Sequence, residues 1–184
     1  MNLFEIAPIS FLTGILIIAV VTDIRSHKIP NWLTFPSMLV GIGYHTYTNG
    51  YHGLLFSMSG MFLGIALFIP FYLASGMGAG DVKLLGSVGS VLGVKGVFIA
   101  CLGTAIIGGV YAIILLAIHG YLRETMKRYW SMLATFMITR KFMYIPPEGS
   151  KKMPVLCYGV AIAVGTVLSI FMKQNFLAKY SVLL

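Results

Sequence analysis

Ile15-Leu16-Ile17-Ile18-Ala19-Val20-Val21-Thr22-Asp23-Ile24-Arg25-Ser26-His27-Lys28-Ile29-Pro30-Asn31 decides the fold. An apolar run ends on a carboxylate and a basic cluster, and Pro30 then suits the start of another helix. This is the pattern of a helix leaving hydrocarbon, a short polar loop and a second helix entering. The run belongs to a segment from about Ile6 to Asp23, close to the roughly 20 residues that a bilayer core requires. With 58% hydrophobic and 10% charged residues in 184, the chain is too apolar for a soluble domain of this size. Met1 to Ser10 contains Glu5 but neither Lys nor Arg, so it lacks the basic region of a cleavable signal. The first apolar run is expected to stay as an anchor.

Working outward, the sequence predicts an all-α membrane protein of six transmembrane helices. The second span follows Ile29-Pro30-Asn31 and ends near Tyr47, with Asn49-Gly50 making the turn. The third, about Gly53 to Ser75, carries Gly60 and Gly64 at a spacing that lets helices approach closely, and Pro70 as a kink near its exit. Gly76, Gly78 and Gly80 interrupt the chain before a short fourth span, Val82 to about Gly93, with Gly86, Gly89 and Gly93 along one tightly packed face. The fifth runs from about Gly96 to His119 and the sixth from about Met153 to Met172. One membrane-embedded domain, 1–184, is expected, with a polar cytoplasmic loop at about 120–152.

Charge placement orients the helices. With the N-terminus extracytoplasmic, Arg25, Lys28, Lys83, Arg123, Lys127, Arg128, Arg140, Lys141, Lys151 and Lys152 lie inside, and Lys95, Lys173 and Lys179 outside. Basic residues concentrate on the cytoplasmic side of membrane proteins, so this orientation is the expected one and the C-terminus is also outside. The net charge of +8 is read in this way and not as a nucleic-acid footprint, because the basic residues are not interleaved with aromatics on a polar face. Cys101 and Cys157 sit in apolar stretches without paired spacing and are read as packing residues.

Five residues are acidic. Glu5 precedes the first helix, and Glu124 and Glu148 lie in the basic loop, where solvated carboxylates cost little. Asp23 and Asp81 differ. An out-and-back path through spans two and three returns the chain to one membrane face, so these two carboxylates can meet. Charge at hydrocarbon is costly unless paired or hydrated, which makes both functional suspects. Two carboxylates at one site do not easily both ionise, so one holds a proton while the other acts as a base. That division suits aspartic-protease chemistry, which needs neither metal nor cofactor. The competing reading makes Asp81 an N-cap and Asp23 a solvated helix end.

Gly76-Met77-Gly78-Ala79-Gly80-Asp81-Val82-Lys83-Leu84-Leu85-Gly86-Ser87-Val88-Gly89-Ser90-Val91-Leu92-Gly93 closely resembles the Gly-x-Gly-Asp region of type IV prepilin peptidases. Asp23 ahead of Ile29-Pro30-Asn31 resembles that family's first catalytic segment, and Met153-Pro154-Val155-Leu156-Cys157-Tyr158-Gly159 its last helix. The resemblance implies Asp23 and Asp81 as the catalytic pair, with Gly78 and Gly80 as a loop that admits the substrate backbone. It implies a pilin or pseudopilin precursor as substrate, cut ahead of its hydrophobic helix at the cytoplasmic face of the inner (plasma) membrane. The short chain is similar to peptidases of tight-adherence (Flp-type) pili and to archaeal preflagellin peptidases, and both branches stay open. Nothing matches the extra domain with paired cysteines that accompanies N-methylation in the long bacterial form.

Lys83 has two readings, tuning Asp81 or holding a substrate carbonyl, and serving as a snorkelling anchor. His27, four residues from Asp23, is read as an interfacial loop residue, the alternative being a hydrogen bond to Asp23 if the helix continues; His45, His52 and His119 are read as solvated or interfacial, since they show no ligand spacing. The small-residue faces leave room for a homo-oligomer. From a different functional class, a small proton-coupled transporter would use the same carboxylates as a relay.

Overall fold

The computed structural model describes residues 3–74, 76–120, 122–139 and 156–181. Five helices follow in order: α1 (Leu3–Ser26), α2 (Asn31–Leu73), α3 (Ala79–Ile118), α4 (Leu122–Thr139) and α5 (Tyr158–Ser181). Three of them, α1, α2 and α3, are long and apolar enough to cross a membrane, and Tyr158–Met172 forms a shorter apolar helix. α1 begins early enough to include Glu5, which the sequence reading placed before it. Pro30 occupies the N-cap of α2 in extended backbone, one residue ahead of the expected first helical position. Arg140, Lys141, Glu148, Lys151 and Lys152, Ser75 at the end of the third span, and the Met153-Pro154-Val155 start of the sixth lie outside the described residues.

Two of these helices are broken by glycine. α2, with 43 residues, would reach about 65 Å if straight, twice a hydrocarbon core. Gly50, at φ 57° and ψ −136°, divides it into arms 31–49 and 51–73, each near the length that hydrocarbon takes. This is the turn that Asn49-Gly50 suggested. α3 is divided at Gly93, φ 70°, into arms 79–92 and 94–118. Both positions need left-handed backbone, which glycine adopts without a Cβ clash.

The chain divides into two compact units, Met1–Gly108 with Cys157–Leu184, and Gly109–Leu156. In the first, the short arm 79–92 is the core. From Asp81 to Gly93 every residue except Lys83 is buried. At about 21 Å it is shorter than a typical hydrocarbon core, and a helix can end at that depth only where protein satisfies its open carbonyls. The described contacts do this: His45 Nε2 donates to Val91 O at 2.9 Å, and Ser57 Oγ donates to Ser90 O. Leu12, Leu16 and Ala19 of α1, Leu33 and Phe68 of α2, and Ile162 and Ile170 of α5 pack in the same core.

Small residues allow this packing. A Cβ on Gly60 would strike the backbone of Gly89 and Gly93, one on Gly89 the backbone of Gly60, and one on Gly64 the carbonyl of Leu85. The Gly60-Gly64 spacing therefore does what the sequence suggested, bringing α2 against α3. Hydroxyls add to the seam, with Ser37 Oγ donating to Ser87 Oγ at 2.9 Å; such interhelical bonds are worth about 0.6 kcal/mol each in a membrane. Buried serines coexist with exposed Leu39, Phe62 and Leu73. Small and polar inside with large and apolar outside is the pattern of a bundle whose solvent is lipid.

The second unit holds the end of α3 and α4. α4 lies within the connection read as one polar loop. Its Met126, Trp130 and Met137 are exposed, as are Arg123 and Lys127.

Candidate functional site

Asp23 sits three residues before the end of α1. The chain leaves the helix through His27, a non-glycine residue at φ 50°, whose N–H donates to Asp23 O at 2.8 Å. This left-handed residue swings Lys28 and Ile29 toward the start of α2. Asp23 is only 5% exposed, so the solvated-helix-end reading does not describe it. Its carboxylate points at the head of α5, where Gly159 N–H donates to Oδ2 at 2.8 Å. The first N–H groups of a helix lack internal partners and carry the positive end of its dipole, so a carboxylate is well matched there. A Cβ on Gly159 would lie 2.8 Å from Asp23 Oδ2 and 3.1 Å from its Cβ. Only glycine lets the carboxylate come this close.

Asp81 lies in the first turn of α3 and is 8% exposed. It is not the N-cap that the competing reading made it. Gly78 caps the helix: Asp81 N–H donates to Gly78 O at 3.2 Å, and Gly78 N–H donates back to Asp81 Oδ2 at 3.0 Å. This is the side-chain half of a capping box, with the third helical residue reaching back to the cap.

Two contacts bring the loops together. Gly80 packs against Ile29 so closely that a Cβ would meet Ile29 Cβ at 3.0 Å and its carbonyl oxygen at 3.1 Å. Lys83 Nζ donates to Asn31 Oδ1 at 2.9 Å and lies 5.1 Å from the centre of the Phe35 ring. The Ile-Pro-Asn segment is thus clasped by residues on both sides of Asp81. Asp23 lies in the last turn of the helix before this segment, and Asp81 in the first turn of the helix that packs against it. Of the five residues singled out from sequence, Asp23, Asp81, Gly78, Gly80 and Lys83 therefore converge on one region, and Lys83 is engaged with α2 through its ammonium.

The sequence reading missed two neighbours, Gly159 and Cys157, and left His27 off the site. Gly159 holds Asp23. Cys157, read as a packing residue, is 9% exposed with Sγ 3.4 Å from His27 Nδ1 and 4.0 Å from Asp23 O. His27, read as a loop residue, is that partner. The available signals were the position of His27 four residues after Asp23 and of Cys157 in the last resembling segment. Among the described residues, no group of three or more His, Cys, Asp or Glu is arranged to hold a metal ion.

A sequence model of the type IV leader peptidase family matches residues 10–113. The match includes both aspartates and the glycine loop, and stops before Cys157 and Gly159. No curated protein and no solved structure matches the chain.

Proposed function

Since the chain belongs to the type IV leader peptidase family, we propose that it is a membrane-embedded aspartic endopeptidase whose catalytic pair is Asp23 and Asp81. The observation that carries this reading is the convergence of two buried carboxylates from separate loops, each fixed by one backbone N–H. Like charges at one site favour a single shared proton. The ionised carboxylate takes a proton from water as that water attacks the scissile carbonyl, and the protonated one donates to the carbonyl oxygen. Roles then reverse as the amine leaves. Gly78, exposed beside Asp81, leaves space for a substrate backbone.

The substrate we infer is a pilin-like precursor, Flp-type in its short form, cut between a basic leader and an apolar helix. The proposed topology has six spans: α1, the two arms of α2, the two arms of α3, and α5, with both termini extracytoplasmic. Ten of thirteen basic residues then lie inside, supporting an active site at the cytoplasmic face of the plasma membrane.

The test is reconstitution of the purified protein in liposomes with an Flp-type precursor, mapping products by mass spectrometry. One cut ahead of the apolar helix is expected. An uncut precursor together with proton flux across the liposome would replace the peptidase reading with the transporter. Reporter fusions at Gly50 and Ser131 should lie on opposite sides of the membrane, and fusions on the same side would overturn the topology.

A further inference from the structure

The proposed chemistry uses neither Cys157 nor His27, yet these residues enclose the backbone of Asp23. The Asp23 carbonyl accepts the His27 N–H at 2.8 Å and lies 4.0 Å from Cys157 Sγ, while the His27 ring meets the same sulfur at 3.4 Å. The three residues therefore close a ring of contacts between the end of α1 and the head of α5. Two residues beyond Cys157 is Gly159, whose N–H holds the Asp23 carboxylate. Cys157 and Gly159 are carried by one short stretch, so fixing the sulfur fixes where that N–H arrives. His27 is held at φ 50°, a strained conformation for a side-chain-bearing residue that persists only where its surroundings enforce it.

We propose that Cys157 and His27 are positioning residues for Asp23: their thiol–imidazole contact clasps the head of α5 to the end of α1, so that Gly159 N–H reaches Oδ2 and sets the orientation of the carboxylate. Their catalytic consequence rests on the peptidase reading; the clasp itself does not. Neither residue touches substrate in this account. Losing the contact therefore lowers the chemical rate and leaves substrate binding intact.

Cleavage kinetics of the reconstituted protein separate this role from a merely structural one. Cys157→Ala and His27→Gly should each lower kcat about tenfold, as a small misplacement of a reacting group does, with KM unchanged. Cys157→Ser, which keeps a hydroxyl donor, should recover most of the loss. The double variant should be little worse than either single one, because one contact cannot be lost twice. Glycine tolerates φ 50° better than histidine, so a purely backbone role predicts no kcat loss in His27→Gly. Unchanged kcat in both single variants, or losses that multiply in the double variant, overturns the proposal while leaving the peptidase reading intact.

A second readout does not need activity. In a Cys101→Ser background, N-ethylmaleimide should alkylate Cys157 faster in His27→Gly and in His27→Asn than in the parent. Equal rates would overturn the clasp. If the parent cleaves no precursor, the peptidase reading fails, and these rates decide the clasp on its own.

Discussion

Asp23 and Asp81 each accept one backbone N–H, but the donors belong to different levels of the fold. Asp81 takes the N–H of Gly78, three residues upstream, in a turn that α3 forms by itself. Asp23 takes that of Gly159, 136 positions downstream, and only after α5 has docked. Asp81 is therefore placed by local helix chemistry, and Asp23 by tertiary packing. The difference teaches that disturbing the head of α5 should impair one carboxylate without moving the other. It also gives the two loops different sensitivities to the same small substitution, glycine to alanine.

Among the residues around the two carboxylates, the largest expected effect is at Gly159. An alanine Cβ would lie 2.8 Å from Asp23 Oδ2, so Gly159→Ala should displace the carboxylate and reduce kcat about a hundredfold, in line with a misplacement near 1 Å. Stopped cleavage assays would measure this, and a loss confined to KM would break the comparison. At Gly80 the added Cβ meets Ile29 at 3.0 to 3.3 Å; the neighbour must give slightly, and Gly80→Ala should lower kcat about tenfold by spreading the two loops. At Gly78 the nearest contact is ordinary, 3.4 Å to Asp81 Oδ2. Gly78→Ala should hold kcat within about threefold and raise KM, because its Cβ points into the space proposed for substrate. The smallest effect belongs to Lys83. Its bond to Asn31 is exposed, so Lys83→Gln should change thermal stability by less than about 1 kcal/mol and kcat by less than about twofold.

The same distinction explains what could be read in the sequence. The break at Gly50 and the Gly60-Gly64 approach are local patterns, and each has its expected structural counterpart, whereas Gly80, expected in a loop, lies in the first turn of α3 against Ile29. Gly159, which holds the Asp23 carboxylate, left no local trace, because residues 23 and 159 are joined by docking alone. His45, read as solvated or interfacial, instead donates to Val91 O; the need for that donor arises only from the interruption of α3 at Gly93. α4 was hidden in a segment whose charges resembled a loop, although Leu122, Met126, Trp130, Leu133 and Met137 recur there at helical spacing. For Asp81 the glycines before it suggested an N-cap, and the structure moves that role to Gly78.

The most direct test of the central claim is single-turnover cleavage by the reconstituted protein bearing Asp23→Asn, Asp81→Asn or both. If the carboxylates act as one unit, each single variant should lose about a thousandfold or more in rate, and the double variant should fall no further. Helical circular dichroism and thermal unfolding should stay close to those of the parent. Cleavage by either single variant within about tenfold of the parent rate would contradict the account.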